Sequence, residues 1–402
     1  MFSTSTARRH TFIRRACATA LPLFYVVASV SAAQKAKTCD VASAVQQANG
    51  LLKQSQYQAV ARALDRLHRC RGLSALEQFQ IGWLYGRANR FDTALKIFNS
   101  VPENVPNRLT HGYAVALSTF ELGNYKGAVA VLTNLQAAGR FDGKCANLLA
   151  VSYSKLGLYK DAYPVLAAEI EKNPNDLKAY LNLITVCAAG GDLPKAAQIA
   201  LRATHVFPHS AETFIVLGAA NIQLGHLHQA YGDFQAAVRL SPHSGEARFF
   251  LALTDYKQDK FSGALAILHS AVKQGVENSD LHYLMAECLL KAAPDDSSAI
   301  IAELNRAIKL NKNSVPARTL RGRLFLQAGH PKQAITDLET AIRDDPDSTS
   351  AVYNLARAYR AVGKSQEAKA LFKKVRKSNS TSIDELSERR LTEALEQRGS
   401  RQ

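Results

Sequence analysis

The sequence predicts an all-helical chain in which about ten helix pairs stack into a solenoid, and three observations carry that reading. Pro174, Pro208 and Pro242 recur at an interval of 34 residues. A small residue returns in one register at Ala48, Gly82, Ala116, Ala150, Gly218, Ala252 and Ala286, and twelve positions further on a second series runs through Ala94, Ala128, Ala162, Ala196, Ala230 and Ala264. Alanine and leucine dominate a chain that is 47% hydrophobic with 12 prolines, the composition of a folded helical protein and not of a disordered or fibrous one.

The chain opens with an address. Arg8, Arg9, Arg14 and Arg15 form a positive stretch without an acid, an apolar run follows from Ala16 to Val30, and small residues close it at Ser31, Ala32 and Ala33. That order predicts a secretory signal peptide over 1–33, cleaved after Ala32 or Ala33. The alternative is an uncleaved membrane anchor, since the run is close to the shortest length that spans a bilayer; Pro22 and the small exit residues favour cleavage. The expected location is therefore outside the cytoplasm, periplasmic or extracellular in a bacterial envelope. Removal of the leader takes Cys17 and leaves Cys39, Cys70, Cys145, Cys187 and Cys288, an odd number of thiols. The formal charge is +16, and the part beyond the leader keeps an excess of +12. That excess attracts an acidic partner, an anionic polymer or a membrane surface without choosing among them.

The repeated units follow. In 211–244, Phe214, Leu217, Gly218, Gly225, Ala230, Phe234, Ala237 and Pro242 stand at positions 4, 7, 8, 15, 20, 24, 27 and 32 of the 34-residue unit. This pattern resembles the tetratricopeptide repeat, a helix-turn-helix unit with small residues at 8, 20 and 27 and proline at 32. The resemblance covers ten units: 41–74, 75–108, 109–142, 143–176, 177–210, 211–244, 245–278, 279–314, 315–348 and 349–382. Two extra residues are accommodated around Pro294 to Ser298, after which the register resumes at Gly322, Ala334 and Ala341, then at Ala356 and Ala368. Val60 stands in place of alanine in the first unit, and Ile184 replaces the small residue at position 8 of the fifth.

Physical chemistry supports the same units without the family. Positions 4, 7, 8 and 11 share one face of a first helix, and 20, 24 and 27 one face of a second. Glycine or alanine at 8 and 20 lets the two backbones approach, and larger side chains at 4, 7, 11 and 24 fill the remaining space. Glycine at position 15 (Gly123, Gly157, Gly191, Gly225, Gly329, Gly363) suits a left-handed turn that ends the first helix. Proline at 32 stops the second. One unit cannot bury its apolar face alone, so each must stack on the next through 34–382. The resemblance implies a right-handed superhelix with the first helices lining its concave side.

The ends of an array need covering. Ser382 and Glu385 form a capping box, and Ile383, Leu386, Leu391 and Leu395 supply the apolar residues of a C-terminal capping helix within 383–402. At the other end Cys39 precedes the first helix and Cys70 lies near the end of the second. A hairpin brings these points together and predicts a disulfide, the alternative being two free thiols. Cys187 and Cys288 fall on inward faces as small hydrophobes.

No residues read as an active site, so the chain is expected to have no enzymatic activity, no cofactor and no metal. It carries no glycine-rich phosphate loop, no Gly-x-Ser-x-Gly elbow and no paired-cysteine zinc pattern. His226 and His228 fall at a tight turn without further ligands. Asp344, Asp345 and Asp347 around Pro346 form an acidic turn between units.

The expected function is protein binding. In the family, ligands lie along positions 2, 5, 9, 12 and 13 of the first helices. Here those positions hold Phe79 and Trp83, Tyr113 and Phe120, Ile215 and Ile222, Phe249 and Tyr256, Tyr283 and Leu290. Such a strip suits an extended or helical peptide with apolar anchors, the alternative being packing on neighbouring repeats. Arg323, Arg357 and Arg360 in the last two units point to an acidic end of the ligand. The family's carboxylate-clamp residues are not reproduced in any three successive units. The reading is a cell-envelope scaffold that assembles a protein complex along its groove, with no small-molecule substrate and membrane contact only through an uncleaved leader. Its alternatives are binding of an anionic polymer, an acidic glycan or nucleic acid, with nucleic acid disfavoured by the apolar groove, and an accessory role to a separate envelope enzyme.

Overall fold

A computed structural model describes residues 40–65, 67 and 72–375. The predicted leader, the Cys39–Cys70 pairing and the C-terminal capping helix lie outside the described residues. What is described is entirely helical, twenty helices joined by short turns in helix-turn-helix pairs. They divide into two compact units between Asp192 and Leu193.

The first unit holds α1 (Val41–Lys53), α2 (Tyr57–Asp65), α3 (Ala75–Arg87), α4 (Phe91–Ser100), α5 (Arg108–Glu121), α6 (Tyr125–Ala137), α7 (Gly143–Lys155), α8 (Tyr159–Lys172) and α9 (Leu177–Ala189). The second holds α10 (Leu193–Val206), α11 (Ala211–Gln223), α12 (Leu227–Leu240), α13 (Gly245–Lys257), α14 (Phe261–Lys273), α15 (Ser279–Ala292), α16 (Ser297–Leu310), α17 (Val315–Gln327), α18 (Pro331–Asp344), α19 (Thr349–Ala361) and α20 (Ser365–Val375). The division falls inside the fifth repeat and not at a junction between repeats. That repeat is the one in which Ile184, fully buried, takes the place of the small residue at position 8.

The backbone keeps the predicted period. The six glycines at position 15 all adopt positive φ, from +74° to +85°. In three of the four repeats without this glycine, Ser55, Asn89 and Asp259 adopt the same left-handed conformation, at φ 57°, 61° and 58°, whereas the eighth, with its longer turn, has Ala293 at φ −145°. The left-handed residue thus goes with the three-residue turn, and glycine only makes it easy. α8, α10 and α12 each stop two residues before Pro174, Pro208 and Pro242. The two extra residues of the eighth repeat are shared, one lengthening α15 and one the turn that follows it.

Between repeats, a side chain just before most first helices accepts a hydrogen bond from a backbone N–H of the first turn. Examples are Asp142 from Cys145 at 2.9 Å, Asp176 from Ala179 at 3.1 Å and Ser244 from Ala247 at 3.1 Å. Ser74 and Glu77 complete a reciprocal capping box on α3. The core of each repeat is the close approach of its two helices. Ala94, Ala128, Ala162, Ala230, Ala264 and Ala334 are fully buried. At position 8, Gly82, Gly218 and Gly322 leave space that the position-24 side chains Phe98, Phe234 and Leu338 occupy from the second helix. Among the described residues no helix is long and apolar enough to cross a membrane.

Candidate peptide-binding surface

In the first unit the strip splits into buried and reachable residues. Phe79 is 2% exposed and packs against Phe98, ring centroids 5.1 Å apart, and against His111 at 6.1 Å. His111 is itself fixed by a 2.9 Å hydrogen bond between its Nε2 and the Phe98 carbonyl oxygen. Trp83, one turn further along α3, is half-buried and stacks on Phe79 at 6.5 Å. It lines a small crevice with Gly86, Phe91, Phe98, Ala114, Leu117 and Ser118. The crevice exists because position 12 of this repeat is Gly86, where other repeats carry Phe120, Ile222 or Tyr256. Tyr113 and Phe120 on α5 are half-buried, and the Phe120 ring lies 5.2 Å from Tyr125. Beside Phe120, burial pushes the Glu121 carboxyl up to about 7, against the pull of the Lys155 ammonium. Glu121 and Lys155 are equivalent positions of successive first helices, and sequence reasoning did not single out either.

In the second unit four strip residues are interior. Ile215 and Ile222 are 2% and 7% exposed, Phe249 3% and Tyr283 0%. The expectation that these side chains line an open groove is corrected, as it is for Phe79. The first helices of successive repeats lie side by side, and the residues between them are shut away from water. Tyr283 donates to Glu287 Oε1 at 2.7 Å, and burial together with that carboxylate raises its hydroxyl far above the usual tyrosine range. Tyr256 stays half-buried, edge-on to Phe261 at 5.5 Å.

Arg323 and Arg357 are half-buried and Arg360 is exposed. The Arg357 guanidinium lies 5.9 Å from the centre of the Tyr353 ring, and that of Arg360 lies 5.7 Å from the Phe372 ring. The two rings meet edge-to-face at 5.8 Å. Tyr353 is 45% exposed, and among the described residues neither arginine has a carboxylate partner. Sequence reasoning found the arginines and missed the tyrosine, although position 5 is one of the strip positions.

A second missed feature lies inside the repeats. At position 23 of the sixth, eighth and ninth repeats an acid projects towards its own first helix. Asp233 accepts from the Asn221 side-chain amide at 2.7 Å, and burial pushes its carboxyl up to about 6. Asp337, 3% exposed, accepts two hydrogen bonds from Arg321 at 2.7 and 2.6 Å and one from Arg318 at 3.2 Å. Glu303 lies 2.5 Å from His282 Nδ1, while His282 Nε2 lies 2.8 Å from Glu277. With both ring nitrogens facing carboxylates, the charged form of the fully buried His282 is favoured: desolvation opposes its charge, and the two acids outweigh it and raise its pKa. His226 and His228 are exposed at the α11–α12 turn. Cys145, Cys187 and Cys288 are buried and in no disulfide, and burial pushes Cys145 and Cys288 up to about 12.

Comparison with known proteins finds three family models on the chain, each described as a tetratricopeptide repeat. One matches 78–108, one 147–211 and one both 221–288 and 325–386, together more than half of the chain. DnaJ homolog subfamily C member 3 from Homo sapiens is 24% identical over 264 residues, 61% of this chain and 45% of that protein. BBSome complex member BBS4 from Bos taurus is 24% identical over 217 residues, 51% of this chain and 42% of that protein. The chain spans less than half the length of either relative. Among solved structures, a tetratricopeptide repeat protein from Parabacteroides merdae is 15% identical with a TM-score of 0.47, over 61% of this chain and 95% of that one. By the three family models, which together match more than half of it, the chain belongs to the tetratricopeptide repeat family, a family of protein-binding scaffolds.

Proposed function

We propose that this chain is an exported scaffold that holds a peptide segment of a partner protein on its first-helix faces and so assembles a complex in the cell envelope. The observation that carries the reading is which side chains the packing leaves reachable. Trp83, Tyr113 and Phe120 in one unit, and Tyr256, Arg323, Arg357 and Arg360 in the other, keep exposed surface on first helices whose other strip residues, Phe79, Ile222, Phe249 and Tyr283 among them, are buried. Half-buried aromatic side chains offer large apolar area at little entropic cost, as a peptide-binding surface requires. The arginine-rich leader pattern of residues 8–33 supports export, and one similar protein is by name a member of a complex.

The test is site-specific photocrosslinking in envelope extract. A photoreactive residue at Trp83, Phe120 or Tyr256 should trap one discrete partner, and the same residue at the second-helix positions Lys160 and Gln235 should not. Equal trapping from both sets, or none from the first, rejects the reading. Binding of an anionic polymer by the basic body is the competing outcome, recognised by an affinity that falls steeply with salt and ignores these positions.

A further inference from the structure

The arginines of the last two described repeats carry more information than their charge. Residues 349–375 contain Arg357, Arg360, Lys364, Lys369, Lys373 and Lys374 against a single acid, Glu367. Two of the three acids of neighbouring α18 are engaged elsewhere, Asp337 by Arg318 and Arg321 and Glu339 by the Tyr359 hydroxyl at 2.8 Å; the third, Asp344, ends the helix and forms no ion pair with either arginine. Arg357 and Arg360 are therefore left without a counter-charge among the described residues, yet they are not loose. Each guanidinium lies within about 6 Å of the centre of an aromatic ring, a contact that holds the cation in place and uses none of its five N–H donors, which suit a carboxylate.

Spacing adds a second constraint. Arg323 and Arg357 are the same position, the ninth, of first helices α17 and α19, which pack directly on one another. Equivalent residues of adjacent helices are separated by about 8–10 Å. In an extended polyproline-type peptide, side chains on one face recur every three residues, at about 9 Å. Arg360 lies one helical turn beyond Arg357, close enough to share the same carboxylate. We infer that α17–α20 binds an acidic peptide in extended form, reading two carboxylates three residues apart through Arg323 on one side and Arg357 with Arg360 on the other. This rests on the peptide-binding reading above and names the chemistry of its partner.

A nucleic acid fits less well. Sequence-tolerant single-strand binding stacks bases on open aromatic faces, whereas Tyr353 and Phe372 each present a face to a guanidinium and an edge or face to each other. The chain's own Asp384, Glu385 and Glu388, beyond the described residues, are the other acidic candidate.

The experiment uses the full chain and two fluorescent twelve-residue peptides of equal composition. One has glutamate at every third place separated by serine pairs; the other has its glutamates in adjacent pairs. Fluorescence anisotropy should show the evenly spaced peptide binding about tenfold more tightly. Arg357→Gln, Arg360→Gln and Arg323→Gln should each remove most of that preference, with the helical circular dichroism unchanged. Equal affinity for the two peptides overturns the inference, as does a single-stranded oligothymidylate that outcompetes both and is lost with the same variants. Asp384→Asn, Glu385→Gln and Glu388→Gln together should leave peptide affinity unchanged; a gain would show the chain's own tail on this surface and overturn the assignment to a partner. Crosslinking at Trp83 and Phe120 reports on the other unit, so the general peptide-binding reading stands or falls separately.

Discussion

Gly218 and Gly86 both sit inside first helices, and the same substitution at the two is expected to act with opposite sign. A methyl group at Gly218 would lie 2.7 Å from Phe234 Cζ and 2.8 Å from its Cε1. That is about 1 Å inside the favourable carbon–carbon separation. The Phe234 ring is fully buried and stacks on Phe250 at 5.2 Å, so it has no solvent into which to swing. Overpacking of this kind costs about 1–3 kcal/mol, and replacing a helical glycine by alanine returns about 1 kcal/mol. Gly218→Ala should therefore be destabilising by up to about 2 kcal/mol. At Gly86 the nearest atom to the added methyl is 3.9 Å away, so only the backbone gain remains and Gly86→Ala should stabilise by roughly 0.5–1 kcal/mol. Long repeat arrays need not unfold in one step, so the readout is native-state hydrogen exchange of α11–α12 and of α3–α4. A double-mutant cycle isolates the cause: with Phe234→Leu in place, the cost of Gly218→Ala should shrink or reverse. Strict additivity of the two substitutions would refute the claim that the position-24 side chain fills the space left at position 8.

Four further outcomes are expected. Asp337→Ala leaves Arg318 and Arg321 facing a partly buried void and should destabilise the ninth repeat by about 3 kcal/mol, read from hydrogen exchange of α17 and α18. His282 has a raised pKa in the folded state, so its contribution is full below the unfolded value near 6.5 and is lost as pH rises through the folded value. Urea midpoints of the parent should fall on the alkaline side relative to His282→Gln, and parallel profiles would reject the buried imidazolium. Asp233 titrates at about 6 when folded and near 4 when unfolded, so the folded state holds the extra proton and stability declines as pH climbs through that window. Asp233→Asn should flatten this decline while keeping an oxygen for the Asn221 amide. Cys145 and Cys288, buried and with thiols pushed up to about 12, should resist alkylation by iodoacetamide in the native chain and react fully in urea.

The helix pairs were legible because their spacing is a local property. Small residues at 8 and 20, a left-handed turn at 15 and proline at 32 each act within one repeat, and the described helices follow them. The exposure of the strip was less legible. A residue at position 5 or 12 is known to lie on the first-helix face, but whether water reaches it depends on how closely the next first helix approaches. Ile222, Phe249 and Tyr283 fall behind that helix, whereas Trp83 stays open beside Gly86. Position 27 gives a second lesson. In the fourth repeat it is Glu169 and not alanine, and its buried carboxyl, raised by desolvation and by Asp176, occupies the space that a side chain at Gly143 would need. The acids at position 23 carried a readable signal: His282 and Arg318 stand at position 4 of the repeats in which Glu303 and Asp337 stand at 23. Only a pairwise comparison of positions within one repeat exposes it, because each residue alone looks like a solvated charge.

Those paired charges bear on how such a chain can change over generations. In the seventh repeat position 23 is Ile267, so moving α14 into the place of α16 would confront the His282 ring with hydrocarbon. Transplanting α15 and α16 together with Glu277 of the preceding loop keeps both acids in step with the base. Recombination that cuts at the turn inside the eighth or ninth repeat is therefore penalised, and at the loop before α15 a cut is tolerated only ahead of Glu277. The heritable module in this stretch is the hairpin with the loop that precedes it, and the buried acid–base contact between its two helices is what forbids mixing halves.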